Sequence, residues 1–474
     1  VSTRYPQVKR LASPAALRAR LDELGIGHQV PVADVVDPAG PLAQPLTWTD
    51  GSAGAIEVAN RFAVLPMEGW DGTTDGQPTD LVRRRWSRFA SSGCGLVWGE
   101  ATAVRPDGRA NPNQLVVSEQ TVEGLAELRG LLDPSQVAGL QLTHSGRWCR
   151  PDADGPAPRP GHTNPVLDAR QGIGPDAVLS DEELEAVAER YVAGAVLARQ
   201  AGFDFVDVKH CHGYLLHELL SGVERPGPYG GDLEGRTRFL RTVVEGIRAQ
   251  APDLAVAVRL SAFDLRPYTA GEGGTGVPDG EGDYPYAFGG DGTGLGIDLT
   301  EAHAFFDLLE SLGVGLVSVT AGSPYYNPHV QRPAYFPPSD GYQPPEDPLV
   351  GVARQLAATA ELAAAHPAVA VVGSGYSYLQ DWLPNVGQAV LASGGAAMVG
   401  LGRMVLSYPD LPADVLAARP LQRNLVCRTF SDCTTAPRNG LVSGCFPIDP
   451  FYKDHPQRVQ LTQAKKQAKA RLKP

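Results

Sequence analysis

The stretch "DVKHCHGYLLHELLS" (207–221) brings a carboxylate, a lysine, two histidines, a cysteine and a tyrosine into its first eight positions. The lysine stands out. The chain has 34 arginines and seven lysines, and between residues 10 and 452 Lys209 is alone. An ammonium suits an oxygen that carries or develops negative charge, and an amine made less basic by burial can act as a nucleophile. A tyrosine within reach can supply a proton. An ion pair between Lys209 and a neighbouring carboxylate is the competing, purely structural reading.

Further polar groups sit at the ends of apolar runs. Gln141 and His144 close "VAGLQLTH" and Arg259 lies near the end of "LAVAVRLS". Two glycine-rich turns follow later runs: "GSGY" (373–376) and "GLGR" (400–403). Such turns wrap backbone N–H groups round a phosphate, and Arg403 would add a charge-assisted pair. Singly these are weak signals, since buried glutamines are mostly satisfied core groups and junction glycines mostly turn geometry. Together they describe a site for a phosphorylated ring with a polar edge.

Eight apolar runs must position these groups: 61–67, 93–101, 137–144, 203–210, 254–261, 313–321, 368–375 and 396–403. Near-continuous apolar runs of this length are strands buried on both faces of a parallel sheet. Amphipathic helical stretches lie between them. Before "DEELEAVAERYVAGAVLARQ" (181–200), Ser180 and Glu183 have capping-box spacing, and Gly202 closes the helix. Eight strand–helix units predict an α/β fold, a (β/α)8 TIM barrel, with active-site groups at strand C-termini. The expected division is an N-terminal extension (1–56), the barrel (57–410) and a C-terminal extension (411–474). The Gly/Asp/Tyr-rich loop 263–298 follows the fifth strand and reads as a lid on the active face. Asp279, Glu281 and Asp283 lack the closing glutamate of a calcium loop.

A formal charge of -12 argues against nucleic acid or an anionic membrane as partner. No apolar run approaches the roughly 20 residues of a membrane span. Of the six cysteines three are scattered and three cluster late, which is not a secreted disulfide framework, so a cytoplasmic enzyme acting on a small molecule is the default expectation. The oligomeric state is left open.

Seven stretches in order, "NRFAVLPM", "GLVWGEATAV", "GLQLTHSGR", "CHGYLLHELLS", "PYGGDLEGRTRFL", "VRLSAFD" and "VGLGRMVLSYPD", resemble the Old Yellow Enzyme family of FMN-dependent oxidoreductases. The resemblance runs from about Asn60 to Asp410 and is similar to the barrels of 2,4-dienoyl-CoA reductase and trimethylamine dehydrogenase. It implies FMN as cofactor, NAD(P)H as transient reductant, and ene-reductase-like hydride transfer between flavin N5 and the substrate. Pro66, Met67 and Glu68 would line the flavin ring with Ala101 beside its polar edge. Gln141 would meet the pyrimidine edge and Arg259 the N1/O2 side. Gly373, Ser374, Gly375, Gly402 and Arg403 would hold the phosphate. Tyr214 matches the proton donor, and Lys209 and His212 the pair that grips the substrate's oxygen. Trp70, Tyr325 and Tyr326 would wall the substrate pocket, with aromatic packing an equal alternative.

Three departures stand out. Lys209 replaces a histidine, which points to a more anionic oxygen than a simple enone carries, and strand alternation turns His210 away toward the helices. Glu68 replaces cysteine or threonine, so a carboxylate must be protonated, paired or turned away beside the flavin. Longer relatives carry four cysteines for a [4Fe–4S] cluster. Here Cys433 and Cys445 keep the last spacing, Thr429 stands at the second ligand position and Cys427 is one place off the first. Three thiols do not complete that cluster, and the expectation is a remnant without metal. Open alternatives are the oxidative direction on the same scaffold, a Schiff-base lyase using Lys209, and a non-catalytic flavin binder.

Overall fold

The computed structural model describes residues 5–471, so the ends of the two extensions (1–4 and 472–474) lie outside the described residues. The eight expected strands close into one parallel barrel. They are β1 (Phe62–Val64), β2 (Leu96–Ala103), β3 (Val137–Thr143), β4 (Phe205–Val208), β5 (Ala255–Ser261), β6 (Leu316–Thr320), β7 (Ala370–Gly373) and β8 (Met398–Leu401). Each is followed by a helix: α1 (Asp80–Ala90), α2 (Val122–Leu131), α3 (Asp181–Gln200), α4 (Leu233–Gln250), α5 (Thr300–Ser311), α6 (Pro348–Ala365), α7 (Leu383–Ala392) and the short α8 (Arg403–Ser407). The capping box forms at the start of α3, where Ser180 and Glu183 satisfy each other's backbone N–H groups. Gly202 takes the left-handed conformation (φ +86°) that ends the helix.

Inside the barrel Trp98 packs edge-on against Phe205, with centroids 5.1 Å apart. An antiparallel hairpin, Leu46–Asp50 with Gly54–Val58, adds Trp48 to the same ring at 6.4 Å. Trp98, Phe205, Ala257, Val372 and Met398 form one buried apolar cluster with Trp48 and Val58 of the hairpin. Water is thereby kept out of the barrel core, and polar groups gather beyond the strand C-termini. Truncating Trp98 to alanine would cost about 3–5 kcal/mol.

Loop 263–298 is built differently from the expected lid. It folds on itself as a small hairpin, Tyr268–Ala270 with Gly276–Pro278. Arg266 donates to the carbonyls of Asp279 and Gly282, and none of the loop's residues lines the main cavity. The C-terminal extension takes that place. Its small core (Ala436, Leu441, Phe446, Tyr452 and Leu461) is tied to the barrel by ion pairs. Arg84 and Arg88 of α1 reach Asp449, and Arg438 reaches Asp340 at 2.7 Å. Among the described residues no helix is long and apolar enough to cross a membrane.

Candidate active site

One cavity gathers the groups at the strand ends. Pro66, Met67, Glu68 and Trp70 enter it from the segment after β1, and Gln141 from β3. Lys209, His212 and Tyr214 come from the turn after β4, Arg259 from β5 and Tyr325 from the loop after β6. Ser374, Gly375, Gly402 and Arg403 come from the turns after β7 and β8. Three expected residues do not line it. Ala101 is buried in β2, where a register irregularity falls between Gly99 and Ala101 and its carbonyl accepts from Gln114. Gly373 lies within strand β7. Tyr326 turns its hydroxyl to Asp264 at 2.5 Å and packs near Trp148, so it takes the packing role.

Asp207 organises the floor of the site from a wholly buried position. It accepts from Trp98 Nε1 (2.8 Å), Gln141 Nε2 (2.6 Å) and the Arg259 backbone N–H (2.8 Å). Burial lifts its pKa to about 6, and these donors work against the lift. An ionised carboxylate only accepts, so the Gln141 amide nitrogen faces Asp207 and its oxygen is left for the cavity. Arg259 donates from Nη1 to the Pro66 carbonyl at 3.0 Å, while its buried Nε has no partner among the described residues.

Lys209 is 3% exposed, and its ammonium lies 3.5 Å from the Tyr214 ring centroid. No carboxylate within 4 Å pairs with it among the described residues, so the ion-pair reading lacks a partner. Burial lowers its pKa, and Glu68 is among the groups that oppose that. His212 has a left-handed backbone (φ +67°), held by its N–H on Ser261 and its carbonyl under the Ser323 hydroxyl. Burial, with Arg259 and Lys209 nearby, pushes its pKa well down, so the ring is neutral. Its Nε2 lies 3.1 Å from the Gln331 side-chain nitrogen. His210 turns to the helix layer, with its Nδ1 on the Val208 carbonyl and its ring against Phe305 of α5.

Glu68 is paired. It accepts from the Tyr214 hydroxyl at 2.7 Å, Trp70 Nε1 at 3.1 Å and Asn111 Nδ2 at 3.2 Å. Burial raises its pKa, and Lys209 opposes the rise. The Tyr325 hydroxyl stands 3.0 Å from that of Tyr214. Asn111 carries no motif that would have singled it out in the sequence.

At the other end, Ser374 Oγ and Arg403 Nη1 are buried without partners among the described residues. A Cβ on Gly402 would meet nothing within 4 Å, so backbone can approach a ligand there. Arg332 joins them, and sequence reasoning missed it because it lies outside both glycine turns. It donates to Ser431 and Thr434 of the C-terminal extension. Burial, and Arg403 beside it, press its pKa down to about 10. Two neighbouring arginines and a spare hydroxyl could hold an anion. The donor set fits a flavin: anion donors at one end, and at the other Arg259 and the Gln141 amide oxygen for a polar-edged ring.

The extension completes the wall with Cys433, Ser443, Gly444, Cys445 and Tyr452, and Ser443 Oγ accepts from the Trp70 backbone N–H at 2.9 Å. Cys427, Cys433 and Cys445 are free thiols.

Residues 49–275 match the family described as NADH:flavin oxidoreductase / NADH oxidase. The chain is 26% identical over 373 residues to the NADPH dehydrogenase of Bacillus subtilis (strain 168), covering 78% of this chain and 92% of that one. It is 31% identical over 229 residues to the NADPH dehydrogenase of Halalkalibacterium halodurans, covering 47% of this chain and 64% of the relative. Among solved structures it is similar to 2-naphthoyl-CoA reductase in complex with 2-naphthoyl-CoA (TM-score 0.67, 19% identity), covering 88% of this chain and 58% of that chain. It is also similar to morphinone reductase in complex with tetrahydroNAD (TM-score 0.57, 20% identity), covering 80% and 92% of the two chains. At these identities the structural likenesses speak to the fold alone. With the barrel and the match over 49–275 together, the chain is similar to the flavin-dependent NAD(P)H oxidoreductases of the NADH:flavin oxidoreductase / Old Yellow Enzyme family.

Proposed function

We propose that the flavin is FMN and that the enzyme reduces a small organic substrate with an oxygen held by Lys209 and His212, using NAD(P)H as electron donor. The observation that carries this reading is the set of unpartnered buried donors in one cavity: Ser374 Oγ and Arg403 Nη1 at one end and Arg259 Nε at the other. A phosphate would engage Ser374, Arg332 and Arg403 at the cradle of Gly375 and Gly402, and the ring edge would meet Gln141 and Arg259. When bound, FMN supplies a two-electron hydride carrier.

The chain's own groups do the rest. Lys209 and neutral His212 offer donors to one substrate oxygen, and the full charge of Lys209 favours an oxygen that becomes anionic. Tyr214, from the same turn, gives a proton to the substrate carbon. Trp70 and Tyr325 wall the pocket, and the C-terminal extension excludes water from one side. The same arrangement run backwards would oxidise a saturated substrate.

The purified protein should show the visible absorption bands of bound flavin, and the released cofactor should be FMN. No flavin bands after reconstitution with FMN would end this reading.

A further inference from the structure

Glu68 is the one carboxyl joined directly to Tyr214 among the described residues. Its Oε2 lies 2.7 Å from the Tyr214 hydroxyl, a distance across which a proton can pass. We propose that Glu68 is the terminal proton site of the reaction: it exchanges a proton with the substrate through Tyr214. The proposal rests on the reading of Tyr214 as proton donor given above.

The charges support this assignment. Tyr214 is buried and its pKa is raised well above the ordinary phenol value, first by burial and then by Glu68. A tyrosinate beside an ionised Glu68 would put two anions 2.7 Å apart in a low dielectric. A proton leaving Tyr214 for substrate must therefore be replaced as it goes. In the reductive direction the two-electron reduction leaves an electron pair on the substrate carbon. The Tyr214 O–H bond breaks and a C–H bond forms at that carbon. The Glu68 O–H bond breaks and the Tyr214 O–H re-forms. The negative charge ends on Glu68.

That end state is stabilised. The carboxylate keeps Trp70 Nε1 and Asn111 Nδ2 as donors, and Lys209 is the largest favourable charge acting on it. Before the transfer, burial favours the protonated carboxyl. The oxidative direction runs the same relay backwards, from substrate to Tyr214 to Glu68. Tyr325, half-buried with its hydroxyl 3.0 Å from that of Tyr214, gives the relay a second oxygen. The titratable and charged groups facing this cluster are Lys209 and Tyr214 from the turn after β4, His212 next to them, and Tyr325 after β6. Arg438 of the C-terminal extension lies behind, 5.3 Å from the Tyr325 ring centroid.

The test compares flavin-loaded wild type with Glu68→Gln and Tyr214→Phe. Infrared difference spectra across the working pH range should show a carboxyl band that titrates in wild type and is absent from Glu68→Gln. Its midpoint should move in Tyr214→Phe. This readout does not depend on turnover. In substrate reduction, kcat in wild type should fall as pH rises through that midpoint. Glu68→Gln should abolish that limb and lower kcat roughly 100-fold with KM little changed. Loss of rate in Tyr214→Phe with an unchanged rate and pH limb in Glu68→Gln would overturn the role of Glu68 and leave Tyr214 standing. A full rate in Tyr214→Phe would overturn the Tyr214 reading itself. No titrating band assignable to Glu68 would overturn the relay.

Discussion

The Lys209 ammonium lies 3.5 Å from the centroid of the Tyr214 ring, so the single mid-chain lysine and the tyrosine five residues on form one packed unit. A desolvated cation over an aromatic face contributes up to about 2 kcal/mol. The contact holds the ammonium in the cavity with no carboxylate in direct ion-pair contact among the described residues, although Glu68 acts on it from farther off. A charged donor is therefore available to a substrate oxygen.

Replacing Lys209 by methionine keeps most of the side-chain stem and removes the charge. A hydrogen bond to a charged group is worth about 1.5–3 kcal/mol, so KM should rise roughly 10- to 100-fold. Steady-state kinetics on protein with unchanged flavin content makes the check. Loss of flavin or of folding would instead give Lys209 a structural role.

Arg403→Met should weaken FMN binding about 10- to 100-fold, because one charge-assisted contact to the phosphate disappears. Riboflavin, which lacks the phosphate, should bind wild type and variant alike. Quenching of flavin fluorescence on titration separates the two ligands. An equal loss for both would place Arg403 away from the phosphate.

Asp449→Asn removes the anion that Arg84 and Arg88 share. Both arginines are partly exposed, so the loss in stability should be modest, about 1–2 kcal/mol. The larger effect should be local. The segment around Ser443 to Tyr452 should become sensitive to limited proteolysis, and KM should rise as the cavity wall loosens.

Burial holds the folded pKa of His210 down at about 4, against 6.5 for an unperturbed histidine. The unfolded chain then binds more protons between these values, so stability rises with pH across that window. The contribution is complete above about pH 6.5 and is lost as pH falls through about 4. It is worth up to roughly 3 kcal/mol. His210→Asn should therefore show a shallower loss of Tm on acidification than wild type. Parallel Tm–pH curves would show that His210 does not contribute.

Much of this molecule was legible in order along the chain. The eight strands needed only apolar runs long enough to be buried on both faces, and the capping box of α3 needed only Ser180 and Glu183 three apart. Lys209, His212, Gln141, Arg259 and Arg403 could be placed at one end of the barrel because strand order fixes which end each residue reaches. The turning of His210 toward the helices followed from the two-residue period of a strand.

Other features rest on pairs far apart in sequence, where no local period applies. Glu68 meets Tyr214 across 146 positions, and Trp70 meets Ser443 across 373. Local pattern could flag Glu68 as an unusual residue but could not say what paired it. The orientation of the Gln141 amide depended on the buried Asp207 next to it in the barrel. Loop 263–298 looked like a lid from its length and glycines, yet Arg266 folds it onto itself, and the C-terminal extension supplies the wall through Asp449 and Arg438. Sequence alone determined the barrel and most of the residues at its active end, though not Arg332, because burial and alternation act locally. Tertiary structure decided which carboxyl pairs with which donor, because that depends on distances set only when the barrel closes.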